Sequence, residues 1–131
     1  MVTHLGGVFI YSEKPAELAQ WYEKHLGIKT EAAPDGSVYY ISYFYNDIAE
    51  GKKRCSVWSI NKSKDRPRAE KKYFTVNYRV NDIEKLAEQL RAGGVEVKGV
   101  EEYPGMGKFA WCQDPEGNHI ELWEDTAVHE E

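Results

Sequence analysis

Cysteine is scarce in this chain, with two in 131 residues, and methionine is no commoner. Cys55 and Cys112 stand far apart, each inside an alternating stretch, which argues against a disulfide scaffold or a C-x-x-C site and leaves two core thiols. No stretch approaches the roughly 20 apolar residues that span a bilayer, and residues 1–12 lack the apolar core of a secretion signal. No membrane association is expected, and the reading is a soluble, cytoplasmic protein. An excess of basic charge is lacking too. Lys and Arg total 17 against 22 Asp and Glu, a net charge of −5, and the basic residues of GKKR (51–54) and KSKDRPRAEKK (62–72) are mixed with acids along the chain, so no nucleic acid is expected as partner. There is no H-E-x-x-H and no Ser, His and Asp arrangement. GMGK (105–108) lacks the spacing and the Ser or Thr of a phosphate loop and reads as a flexible loop.

What the chain does contain is one pattern written twice. VFIYSEKPAELAQWYEKHLGI (8–28) and TVNYRVNDIEKLAEQLRAGGV (75–95) both read as strand, polar punctuation, helix and glycine. In the first, Pro15 suits the first helical position, Leu18, Trp21, Tyr22 and Leu26 form the apolar face, and Gly27 suits a left-handed stop. In the second, Asn81 with Glu84 resembles a capping box, Ile83, Leu86, Ala87 and Leu90 form the face, and Gly93 or Gly94 ends it. The spacing predicts helices over 15–26 and 82–92. Strands are predicted over 28–32, 38–45 and 55–60 after the first helix, and over 95–101, 108–113 and 119–123 after the second. Asp114, Pro115, Glu116, Gly117 and Asn118 form the turn of the last hairpin, with Asn118 a turn residue. The architecture is therefore α+β: two βαβββ modules, about 1–61 and 73–125, joined by the charged linker 62–72 in a single domain of residues 1–131.

The doubled βαβββ pattern, WYEKHLGI (21–28) and DPEGNHIELWE (114–124) resemble the vicinal oxygen chelate superfamily of glyoxalases, bleomycin resistance proteins and extradiol dioxygenases. The resemblance covers nearly the whole chain. It implies a curved, cup-shaped sheet with the helices outside, and a homodimer. It does not choose a reaction, because one fold hosts many. In metal-dependent members, four ligands come from the first and last strands of each module, places that fall here on Gly7, Trp58, Thr75 and Glu121. Gly7 has no side chain, the Trp58 indole has no lone pair to give, and the Thr75 hydroxyl is a poor ligand. No cofactor is favoured. A divalent metal enters only through a rescue set, His4, His119 and Glu121, which needs a bulge at Gly6 and Gly7 to re-aim His4.

Alternation then assigns the cup-lining side chains: Phe9 and Tyr11; Ser56 and Trp58; Thr75, Asn77 and Arg79; Phe109, Trp111 and Gln113; His119, Glu121 and Trp123. SVYYISYFY (37–45) is aromatic at both parities, so alternation does not choose its side. Some of these aromatics serve equally well as filling between sheets, and Arg79 with Glu121 could form a purely structural ion pair. Two functions fit. In one, a metal-independent binder holds a planar or cationic organic molecule through Phe9, Tyr11, Trp58, Thr75, Asn77, Arg79, Trp111, His119 and Trp123, with Glu121 as countercharge. In the other, a glyoxalase-like lyase, isomerase or epimerase uses Glu121 as catalytic proton acceptor beside a carbonyl.

Overall fold

The computed structural model describes residues 5, 7–62 and 75–126. The chain divides into two compact units, residues 1–67 and 68–131, each a four-stranded mixed sheet with one helix. The fold is α+β.

The first unit contains β1 (Gly7–Ser12), α1 (Pro15–Leu26), β2 (Glu31–Ala32), β3 (Val38–Asp47) and β4 (Lys52–Lys62), with strand order β1-β4-β3-β2. Its first and last strands pair in parallel, Ile10 opposite Ile60, while β3 and β4 form a long antiparallel hairpin. Pro15 opens α1 as expected. The preceding turn is tied by the Lys14 amide, which donates to the Ser12 hydroxyl at 2.9 Å. Gly27 closes the helix at φ 69°, and its amide and that of Ile28 return to the carbonyls of Glu23 and Tyr22. Leu18, Ala19 and Tyr22 are buried together with Ile10, Trp58 and Ile60.

The second unit contains β5 (Thr75–Arg79), α2 (Ile83–Ala92), β6 (Lys98–Tyr103), β7 (Gly107–Gln113) and β8 (His119–Glu124), ordered β5-β8-β7-β6. Again the first and last strands are parallel neighbours, with Asn77 opposite Glu121. Ile83, Ala87 and Leu90 of the helix and Ala110, Cys112, Ile120 and Leu122 of the sheet form its buried core. The N-cap is Asp82, not the expected Asn81: its carboxylate accepts the Lys85 amide. The Ile83 amide donates to Glu124 Oε1 at 2.9 Å, so the end of β8 satisfies a helix N–H that has no intrahelical partner. Glu84 turns instead to Lys108. At the other end Gly93 has φ −85° and Gly94 takes the left-handed turn at φ 86°.

Several strands differ from expectation: β3 runs on to Asp47 and β4 extends from Lys52 to Lys62. β2 keeps only two residues of the span 28–32, and β6 begins three residues later than predicted because its pairing with β7 fixes its register. The last hairpin forms as read. Asp114, 4% exposed, accepts the amides of Glu116 and Asn118 and the Asn118 side chain, and Gly117 stands at φ 82°. Among the described residues no helix is long and apolar enough to cross a membrane. The linker 62–72 falls, after Lys62, outside the described residues.

Candidate functional site

The sheet of the second unit has one face under α2 and one face turned away from it, and strand register lays out the latter in rows. Asn77, Glu121, Trp111 and Lys98 oppose one another in turn across β5, β8, β7 and β6. The adjacent row reads Arg79, Trp123, Phe109 and Glu101, and the row on the other side reads Thr75, His119 and Gln113. Alternation in FTVNYRV, KFAWCQ and HIELWE produces this sorting, since Ile120, Leu122, Ala110 and Cys112 take the helix side. The residues of this unit that alternation assigned to the cup lie on the face turned away from α2.

Glu121 is held from both sides. Its Oε1 accepts the Asn77 amide at 2.8 Å and its Oε2 accepts the Trp111 indole N–H at 2.8 Å. The ion pair with Arg79, the alternative structural role for Glu121, does not form among the described residues. Arg79 is exposed one row away, opposite Trp123.

Phe109 anchors a wall of rings beside the carboxylate. It lies nearly parallel to Trp111, with centroids 6.4 Å apart, and to Trp123 at 6.2 Å, and Tyr103 meets it edge-on at 5.5 Å. The Trp123 indole donates to the Met106 carbonyl at 2.9 Å and so fixes the end of the GMGK loop against the wall. Gly107 makes that approach feasible: at φ 127° a Cβ there would meet the Glu124 carbonyl and, at 2.9 Å, Trp123 Nε1.

Tyr103 and Glu101 are site residues that alternation did not find, because EEYPGMGK was divided between a strand end and a loop. The Tyr103 hydroxyl donates to Glu101 Oε2 at 2.8 Å. That hydrogen bond, the Glu101 charge, burial and, last, the Glu121 charge all raise the phenol above its ordinary pKa. Glu101 and Glu121 thus both bring negative charge to the edge of the ring wall near Tyr103. On the helix side, burial and the charge of Asp114 push the Cys112 thiol up to about 11, which leaves little thiolate near neutral pH.

In the first unit, Phe9 and Tyr11 lie on the face away from α1, as expected, and are 54% and 37% exposed. Trp58 does not join them. It is 4% exposed and packs edge-on against Tyr22 of α1, with centroids 4.8 Å apart. The β4 residues paired with β1 on the Phe9 side are Val57, Ser59 and Asn61. Trp58 shares its parity with Ile60, whose full burial declares the core side.

The metal places of the superfamily fare accordingly. At Gly7 a side chain would run into the Val57 carbonyl, Trp58 faces the helix, and Thr75 is an exposed hydroxyl. Only Glu121 is a ligand by type, and a single carboxylate does not make a site. This donor set does not fit the usual metal. His4 of the rescue set lies outside the described residues, and among the described residues no three His, Cys, Asp or Glu side chains are grouped to hold an ion.

A βαβββ unit with its first and last strands in parallel, present twice, defines the glyoxalase-like class. Solved structures agree. The chain is similar to lactoylglutathione lyase from Agrobacterium tumefaciens (TM-score 0.64, 12% identity, 94% of each chain covered). It is also similar to the antibiotic-binding protein TnmS3 from Streptomyces sp. CB03234 (TM-score 0.62, 16% identity, 95% of this chain and 98% of that one). The virulence protein STM3117 from Salmonella typhimurium matches at TM-score 0.68 and 12% identity over 96% of this chain and 99% of its own. No curated protein matches in sequence. The model of the glyoxalase/bleomycin resistance protein/dioxygenase superfamily matches residues 3–122, and the chain belongs to that superfamily.

Proposed function

We propose that the open face of the second unit binds a planar or cationic organic molecule without the help of a metal. The observation that carries this reading is Glu121, whose two oxygens rest on the neutral donors Asn77 and Trp111. Neutral donors orient the carboxylate without cancelling its charge. An ionised carboxylate has about four acceptor sites, so it retains capacity for a ligand N–H. The half-buried rings of Trp111 and Trp123 offer π faces that attract a cation and stack on a flat molecule, and the buried Phe109 ring packs beside both. A solved neighbour that binds an antibiotic lends support to a sequestering role.

Glu121→Gln keeps the side chain's shape and tests the reading directly. With tryptamine as the probe cation, titration calorimetry should find binding weakened by about 1.5–3 kcal/mol, the range of a hydrogen bond to a charged group. Equal affinity in the two proteins would sink the proposal. If the wild type instead exchanges the proton beside a ketone carbonyl for deuterium and Glu121→Gln does not, the lyase or isomerase reading replaces it.

The same reading includes a homodimer, from the superfamily resemblance, and metal-free protein, from the donor set. Purification without chelators should give no stoichiometric zinc, nickel, manganese or iron by elemental analysis. Light scattering should give a mass above the 15.1 kDa of one chain. A metal that stays bound after both His4→Ala and His119→Ala would show that the ligands lie elsewhere.

A further inference from the structure

The face that holds Glu121 also presents a cation, and the two are not paired. Arg79 and Glu121 occupy neighbouring parallel strands in adjacent rows on the same face. From a strand spacing of about 4.8 Å and a rise of about 3.3 Å per residue, their Cα atoms are about 8 Å apart. Both side chains are long enough to converge. Glu121 is instead engaged by Asn77 and Trp111, and Arg79 meets no carboxylate among the described residues. A simple cation entering beside Glu121 would feel the Arg79 guanidinium, and a simple anion beside Arg79 would feel Glu121 and, beyond the ring wall, Glu101. A molecule carrying both charges on neighbouring atoms satisfies the two together.

We propose that the ligand of this face is an aromatic zwitterion of the α-amino acid type. Its ammonium group sits on Glu121, its carboxylate on Arg79, and its ring against Trp123, which follows Arg79 in the same row and is backed by the buried Phe109. Arg79 suits the carboxylate because a guanidinium presents two parallel N–H groups to the two oxygens. The only other cation placed in these rows is Lys98. It opposes Trp111 from β6, so the Trp111 ring stands between Lys98 and Glu121, and the lysine cannot serve the same head group. This inference rests on the binding role proposed for Glu121 and narrows it to one charge pattern.

Three indoles that carry both charged groups, the ammonium alone or the carboxylate alone test it by calorimetry: L-tryptophan, tryptamine and indole-3-propionate. Tryptophan should bind the wild type at least roughly tenfold more tightly than either of the others, the low end for one charge-assisted contact. Arg79→Gln should bring the ratio of tryptophan to tryptamine affinity close to one, Arg79→Lys should restore part of it, and Lys98→Gln should leave it large. Far-UV circular dichroism of each variant checks folding, and Arg79 and Lys98 are both exposed. Tryptamine binding as tightly as tryptophan, or a preference that survives Arg79→Gln or falls with Lys98→Gln, overturns the inference. If tryptamine binding in that case still weakens in Glu121→Gln, the cation-binding reading stands alone. If none of the three indoles binds, both are overturned.

Discussion

Gly107→Ala should lower the stability of the protein by about 3 kcal/mol or more and its melting temperature by on the order of 10 °C. Two costs combine at this position. At φ 127° an alanine is strained, at about 1–3 kcal/mol, whatever its surroundings. In addition the new methyl group meets the backbone carbonyl of Glu124, which is fixed in β8, and Trp123 Nε1 at 2.9 Å, so the strands or the indole must move. Displacing packed groups to admit an extra carbon costs about 1–3 kcal/mol more. Gly105→Ala is the matched control. It has φ 81° but open space around its Cβ, so only the first cost applies. Denaturant melts of the two variants separate the contributions, and equal losses would mean that the close approach at Gly107 is of no consequence. A shift of the Trp123 indole would also loosen its bond to Met106, so the Gly107 variant should lose affinity for any ligand of the ring wall.

Trp58→Ala should cost about 3–5 kcal/mol, the range for removing a large aromatic side chain from a core. The indole lies against Tyr22, which is fully buried, and beside Ile60, also fully buried, so the cavity cannot be filled by solvent or closed by a loop. Trp58→Phe keeps a ring against Tyr22 and should recover most of the loss. Ligand affinity per folded molecule should be the same in Trp58→Phe as in the wild type. A variant that folds with unchanged stability but fails to bind would return Trp58 to the ligand face, where alternation first assigned it.

The contrast between Trp58 and Glu121 shows what a pattern of alternating residues carries. In HIELWE and FTVNYRV the two parities differ sharply in polarity, so the face of every residue follows from the pleat. In β4 both parities are apolar, Cys55 and Val57 on one and Trp58 and Ile60 on the other, and only pairing with β1 decides between them. Helix ends were legible where one residue type answers one conformational demand, as with Pro15 at the start of α1 and Gly27 at its close. The cap of α2 was displaced by one residue because Asn81 and Asp82 are both competent acceptors. The hydrogen bonds that orient Glu121 come from β5 and β7, strands distant in sequence from each other, so no local spacing announces them. Tyr103 was missed for a related reason: a register shift between Gly99 and Glu101 decides which β6 residues meet β7, and that shift is a property of the pair.

The parallel pairing of first and last strands, present in both units, also constrains the order of events as the chain is made. β1 has no neighbour until β4 exists, and β5 none until β8. The hairpins β3–β4 and β7–β8 close over short turns as soon as their second strand is made, and that same last strand is the one each opening strand must wait for, across a much longer loop. A nascent module therefore carries an unpaired strand edge and a helix without its full sheet until its last strand leaves the ribosome. Once the first module is complete, its own core can form while the second is still emerging, so the duplicated pattern lets the chain commit half of its structure before the other half has been translated.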